Sequence, residues 1–315
     1  MDAQAHTPRL GHVCGTRLAE IADSQRELWV LDGDLANSDG ADAFAHCHPA
    51  RFLNVGIAEQ TIVSVAAGMA ACGLKPWVFS FAAFLCCRAY DQIRVCVSQT
   101  HLPVAFIGSH AGGLSNRNGK SHTVLNDIAL MATLPGISVW TPADAQDAVF
   151  CIDQISATPQ SAYVRLPREL VAPIGGTPAA VRWIGKPARH AILSAGLSTH
   201  WATQAAALLC NWGTDIGVLH FCQVWPLHMA PLRELLKPVE WAFVLEDHYG
   251  LGGLASLLPG LDRPLRITSL AWPSHWSGQS GNPADVLRMF ALDPAGIAQR
   301  ISVALYPRAG EAPVA

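Results

Sequence analysis

The chain is short of charge. Asp, Glu, Lys and Arg make up 14% of its 315 residues, against roughly 25% in an ordinary soluble domain. Much of the surface is therefore expected to face a partner rather than water. Long apolar runs are missing too: no stretch reaches the ~18–20 residues that span a bilayer. The N-terminus from Met1 to Pro8 lacks the charged-then-apolar pattern of a secretory leader. A cytoplasmic protein with no membrane association is expected. Lysine and arginine form no cluster, and a net charge of −3 leaves no electrostatic footprint for nucleic acid. The nine cysteines are odd in number and contain no CxxC pair. Cys72, Cys86, Cys96, Cys151 and Cys210 sit in apolar company. This excludes a disulfide framework and predicts small core residues in a reducing compartment, without a zinc site.

What is present is enough chain for two domains, half of it hydrophobic. Short β-rich runs at 28–31, 77–80, 104–108, 138–140 and 162–165 alternate with helical stretches near 57–72, 83–98, 125–133 and 143–155. That alternation predicts a mostly parallel sheet covered on both faces. From Pro167 to Pro187 the pattern lapses into prolines and glycines, a turn-rich connection. A second α/β series follows, with strands near 190–195, 216–221, 241–246 and 265–270. Helices are expected near 199–212, 230–237, 250–259, 283–290 and 294–304. The expected organisation is a first domain over 1–170, a linker over 171–187 and a second domain over 188–315, both α/β with helices flanking the sheet. Residues Arg308 to Ala315 read as a loose tail.

The most informative run is Arg51-Phe52-Leu53-Asn54-Val55-Gly56-Ile57-Ala58-Glu59-Gln60. It places Glu59 at the mouth of a helix whose residues 61–74 carry no charge. Such a helix is expected to be buried on most of its surface, with the glutamate partly buried. A carboxylate taken from water without a partner tends to keep its proton, so a raised pKa is expected. A plain first-turn acid favoured by the helix dipole would occupy the same position.

Three further stretches follow in order: Phe79-Ser80-Phe81-Ala82-Ala83-Phe84-Leu85-Cys86-Cys87-Arg88-Ala89-Tyr90-Asp91-Gln92-Ile93-Arg94, then Gly108-Ser109-His110-Ala111-Gly112-Gly113, then Gly119-Lys120-Ser121-His122. With the Glu59 run they resemble the pyrimidine-binding domain of the transketolase family over about residues 10–170. Several colinear motifs are harder to meet by chance than one. Val244-Leu245-Glu246-Asp247-His248-Tyr249-Gly250-Leu251-Gly252-Gly253-Leu254 resembles the family's C-terminal domain more weakly.

The resemblance implies thiamine diphosphate and Mg²⁺ as cofactors. It gives Glu59 the contact to N1′ of the aminopyrimidine, where a carboxyl in a dry pocket drives the tautomer shift that activates the cofactor. Phe81 and Phe84 would pack on the pyrimidine, with Ile57 beside it. Ordinary core packing would also account for the two phenylalanines. His122 would act at the reacting carbons and His110 at the distal end of the substrate. Arg17, Ser38 and Arg165 match positions that hold a sugar phosphate. As surface side chains the two arginines could equally be solvated. Asn118 falls at a substrate-contacting position, within a loop that departs from the family. Arg117 and Asn118 stand where an acidic pair is usual, Lys120 replaces a proline and Thr123 a glutamine. That basic loop implies a substrate with more negative charge than a common sugar phosphate.

No Gly-Asp-Gly…Asn stretch is found to anchor a diphosphate and Mg²⁺. The expected protein is thus the C-terminal subunit of a split transketolase. Its partner would be an N-terminal subunit carrying the diphosphate-binding domain, with self-dimerisation giving a heterotetramer. Small-molecule ketoses and aldehydes would be its substrates. The β subunit of a 2-oxo acid dehydrogenase, or a non-catalytic scaffold subunit, would share the architecture.

Overall fold

The computed structural model describes residues 9–258 and 265–307, without the side chains of Asn116 and Arg117. The expected tail and the first eight residues lie outside this range. Twelve strands are present among the described residues: β1 Leu28–Asp32, β2 Phe52–Asn54, β3 Lys75–Phe81, β4 Ala105–Ser109, β5 Ile137–Trp140, β6 Ser161–Arg165, β7 Val181–Ile184, β8 His190–Ala195, β9 Ile216–Phe221, β10 Gln223–Trp225, β11 Trp241–Tyr249 and β12 Arg266–Trp272. They form a seven-stranded sheet in the order β10-β5-β6-β4-β3-β1-β2 and a five-stranded sheet in the order β12-β11-β8-β9-β7. Each sheet is parallel except for one edge strand, β10 against β5 in the first and β7 against β9 in the second. The fold is α/β in two mostly parallel layers, as the sequence pattern predicts.

The near-continuous apolar strands are explained by burial on both faces. Along β3, Trp77 and Phe79 point into one core while Val78 points into the other. Along β4 the same division separates Ala105 and Ile107 from Phe106. Helices Leu10–Ala22 and Ala145–Ser156 cover the first face, and helix Glu59–Ala71 covers the second. Both cores continue into the second sheet, through Ile192 and Phe243 on one side and Leu193 and Val244 on the other.

The two layers are also joined by the chain and by charge. β7 lies inside the stretch read as a linker, and β10 follows β9 directly and pairs with β5 in the other sheet. Arg165, at the end of β6, is 5% exposed. Its Nε donates to Asp127 Oδ2 at 2.8 Å, and its Nη2 donates to the Asp247 carbonyl at 2.7 Å. Tyr163 donates to the same Asp127 oxygen at 2.8 Å. Asp247 Oδ1 accepts from the Gly113 N–H at 2.9 Å and from Trp272 Nε1 at 2.8 Å. Asp127 Oδ1 and Asp247 Oδ2 stay without a hydrogen bond, so the buried cation is tolerated through charge pairing rather than complete satisfaction.

Three local expectations differ. Helix Glu59–Ala71 is half covered rather than mostly buried, because Gln60, Thr61, Ser64, Gly68 and Ala71 form an exposed uncharged stripe. The stretch read as one helix over 83–98 is broken into wide and ordinary turns, with i→i+5 hydrogen bonds from Ala89 N to Phe84 O and from Gln99 N to Arg94 O. Wide turns of this kind often occur at functional sites. Of the cysteines read as core residues, Cys86 and Cys151 are buried, whereas Cys72 and Cys210 are exposed and Cys96 is half-buried. Cys72 and Cys210 fall at the C-terminal ends of their helices, where the apolar face has run out.

Candidate active site

Parallel strands in an open α/β sheet present their ligands at the carboxyl edge, where loops and helix N-termini converge. Here that edge runs across neighbouring strands β2, β1, β3, β4 and β6. The loop after β1 puts Asp34 in the left-handed region at φ 68°, and its Oδ1 accepts from Asn54 Nδ2 at 3.0 Å at the end of β2. Asn54 Oδ1 in turn accepts from the N–H of Gly56 at 2.8 Å, where φ is +82°. Glycine suits this turn because a side chain would be strained at positive φ. The stitched loop delivers Glu59 as the first residue of its helix.

Glu59 is 1% exposed, and Arg88 Nη1 donates to its Oε2 at 2.7 Å. The other oxygen, Oε1, is buried and has no hydrogen-bond partner. A buried acceptor left open in this way costs about 1–3 kcal/mol unless a ligand or water satisfies it. The wide turn after β3 makes the Arg88 contact possible, since it carries the guanidinium to 4.4 Å above the Phe84 ring.

Phe81, at the end of β3, and Phe84 stack with ring centroids 5.7 Å apart. His110, after β4, lies 4.1 Å from Phe81, and His122 lies 5.1 Å from Phe84 and 6.0 Å from Phe81. Residues far apart in sequence thus form one aromatic wall. His110 has φ 57°, strained for a non-glycine residue, and its Nδ1 lies 3.2 Å from Ser109 Oγ. Burial, reinforced by the nearby Arg168 and Arg9 guanidiniums and by His122, pushes the His110 imidazole down to about 4. It is therefore neutral at physiological pH and can act as a hydrogen-bonding group without a charge.

This gives a direct check. The His110 ring resonance should titrate near pH 4, and Arg168→Met should move it upward; an inflection between pH 6 and 7 in the unaltered protein would contradict the site's electrostatics. Since the folded value is depressed, the group adds stability above its unfolded value near 6.5, and that stability is lost as pH falls towards 4.

The other expected residues are dispersed. Ile57 is 77% exposed, two residues from Glu59. Ser38 lies in the short helix Ala36–Asp39 after the Asp34 turn and donates to Asn37 Oδ1 at 3.2 Å. Asn118 is the exposed last residue of the turn Gly113–Asn118, whose first three residues are buried, and Lys120 is exposed two residues from His122. The Arg117 side chain is outside the described residues. Two expectations are corrected. Arg165 is enclosed by Asp127 and Asp247 and cannot reach a ligand. Arg17 is tied to Asp153 at 2.7 Å and Glu20 at 2.6 Å, far along its helix from the sheet edge.

The cations that act on His110 are instead Arg9, at the start of that helix, and Arg168, whose Nη1 is buried without a hydrogen-bond partner. Arg88 was also legible in principle. It is the lone charge in the run from Phe79 to Tyr90, and such a charge calls for a partner.

Fold and site together define an α/β protein of two mostly parallel sheets, with an aromatic wall at one strand edge beside a buried carboxylate that keeps one oxygen open. The family described as "Transketolase, pyrimidine binding domain" matches residues 7–173. Transketolase-like protein 1 of Bos taurus is 33% identical over 297 residues, covering 89% of this chain but 48% of its own length. The protein named as a transketolase C-terminal section in Methanocaldococcus jannaschii is 29% identical over 300 residues, covering 91% of this chain and 93% of its own length. A split-gene transketolase solved as an inactive β4 tetramer superimposes with a TM-score of 0.81 at 26% identity, over 92% of this chain and 96% of that one. The chain belongs to the transketolase family. It corresponds to the family's C-terminal section, about half the length of the bovine relative.

Proposed function

We propose that this chain is the C-terminal subunit of a two-component, thiamine-diphosphate-dependent transketolase that moves a two-carbon ketol unit from a ketose to an aldehyde. The observation that carries the reading is the buried, open Oε1 of Glu59 beside the Phe81–Phe84 wall. Those groups fit an aminopyrimidine: Phe81 and Phe84 would offer faces for a flat ring, and Glu59 would offer its open oxygen to a ring nitrogen. When bound, the cofactor supplies the carbon nucleophile on which ketol transfer depends.

In this reading Glu59 exchanges a hydrogen bond with N1′, and Arg88 fixes which carboxylate oxygen is offered. His122 holds or moves a proton at the reacting carbons, while neutral His110 hydrogen-bonds a substrate hydroxyl. Arg168 and Arg9 suit the anionic end of a sugar phosphate, since guanidinium binds phosphate through paired donors. Asn118 and Ser38 lie at the rim. A partner subunit would hold the diphosphate and Mg²⁺. Its docking is favoured by the uncharged stripe of helix Glu59–Ala71 and by exposed Leu53, Ile57 and Val95. Relatives of this length, one of them a β4 tetramer, support separate subunits that self-associate. No helix among the described residues is long and apolar enough to cross a membrane.

The test is reconstitution with a chain carrying the diphosphate-binding domain. The pair should transfer a ketol unit from a ketose phosphate to an aldehyde and leave pyruvate untouched. Pyruvate decarboxylation without ketol transfer would replace this reading with a 2-oxo acid dehydrogenase subunit.

A further inference from the structure

Away from that site, where helix Ala145–Ser156 of the first layer packs against the β9–β10 junction, four chemically active side chains meet: Asp147, His220, Cys222 and Cys151. All are 0% exposed. One ligand atom each from Asp147, His220 and Cys222 falls within 4.8 Å of the other two, whereas Cys151 lies outside that group, its Sγ set against that of Cys222. Asp147 Oδ2 is 3.0 Å from His220 Nε2, and Cys151 Sγ is 3.3 Å from Cys222 Sγ. His220 Nε2 is buried among these ligand atoms, and Asp147 Oδ2 is its partner, in a contact poorly aligned for a hydrogen bond.

We propose that Asp147, His220 and Cys222, completed by Cys151, form a closed zinc site that clamps the two layers of the protein together. The donor set is soft and borderline: two sulfurs, one imidazole and one carboxylate. It suits zinc in a four-coordinate structural site rather than Mg²⁺, which takes oxygen ligands. The surrounding contacts are those that hold metal ligands in place. Arg182 Nη1 occupies Asp147 Oδ1 at 2.6 Å, leaving Oδ2 turned towards His220. The Ala143 N–H reaches Oδ2 at 3.3 Å, which still leaves that oxygen a lone pair. Thr199 Oγ1 lies 2.8 Å from His220 Nδ1 and itself accepts from Ser194 Oγ at 3.0 Å. A proton on Nδ1 donated to Thr199 leaves the Nε2 lone pair facing the cluster.

Binding would release the two thiol protons to solvent. The two thiolates, the Asp147 carboxylate, the Arg182 guanidinium and the dication then balance to zero charge, which a fully buried site requires. The CxxC pattern missed the site because its ligands are separated by up to 75 residues, from Asp147 to Cys222.

The experiment uses the full chain, purified without a histidine tag or chelator. Elemental analysis should find about one zinc per chain, as a four-ligand structural site binds a single ion. Cobalt exchanged into the site should give the near-ultraviolet thiolate-to-metal band and the red tetrahedral bands. Cys222→Ser and Cys151→Ser should each lose the zinc and the thiolate band, and Cys210→Ser, at an exposed cysteine, should retain both. Folding of each variant is checked by circular dichroism, and a variant that fails to fold is replaced by chelator titration of the unaltered chain, which should remove zinc and lower Tm. Metal far below one per chain with no cobalt spectrum overturns the proposal. So does zinc unaffected by both substitutions, or a Cys151–Cys222 disulfide in the metal-free protein.

Discussion

Glu59→Gln should lower ketol transfer by the reconstituted enzyme at least ~10²-fold, the scale of losing a positioned acid–base group. Glutamine keeps the size and polarity of the side chain and can still accept from Arg88 through its carbonyl oxygen. The atom lost is the one that matters: Oε1, buried and open at the mouth of helix Glu59–Ala71, becomes an amide nitrogen or cedes its place to one. An amide cannot exchange a proton with N1′. Hydrogen–deuterium exchange at C2 of the bound cofactor should slow in parallel with turnover, while assembly with the partner is unchanged. An unaltered exchange rate would remove Glu59 from this role.

The second large effect concerns stability. Arg165→Met should destabilise the folded chain by about 3–5 kcal/mol, the usual cost of leaving the partners of a buried ion pair uncompensated. Methionine nearly fills the volume, so packing alone predicts a small loss. The charge argument predicts a large one, because Asp127 and Asp247, both buried, would lose their shared cation. Asp127 would keep only its bond from Tyr163. Urea unfolding of Arg165→Met beside Arg17→Met separates the cases. Arg17 is partly exposed and its ion pairs are solvent-screened, so its replacement should cost under ~1 kcal/mol. Equal effects would refute the buried knot.

These two arginines also show where sequence reasoning reaches its limit. The family resemblance put a phosphate ligand at both, and their environments decided otherwise. Arg165 is the last residue of β6 and points into the layer boundary, where its partners lie 38 and 82 positions away. Three residues on, beyond Pro167, Arg168 has left the strand and acts electrostatically on His110. Arg17 lies eight residues into its helix from Arg9, about 12 Å of rise from the sheet edge. Long-range pairing of this kind leaves no periodic trace. The strands did leave one, because burial on both faces of a parallel sheet demands unbroken apolar runs such as Trp77–Phe79. Phe81, Phe84, His110 and His122 were legible as separate motifs because each lies at the end of a strand or in the turns that follow it. The strands at the layer junctions, β7 and β10, were not: each is short, and the pairing that makes it a strand comes from a distant segment.

The central claim is that this chain carries the pyrimidine half of a shared cofactor site and a separate subunit carries the diphosphate half. Calorimetric titration of thiamine diphosphate with Mg²⁺ into this chain alone, into the partner alone and into their mixture tests it most directly. The account predicts tight binding in the mixture and none of useful affinity for this chain by itself. Micromolar binding by the isolated chain would contradict it.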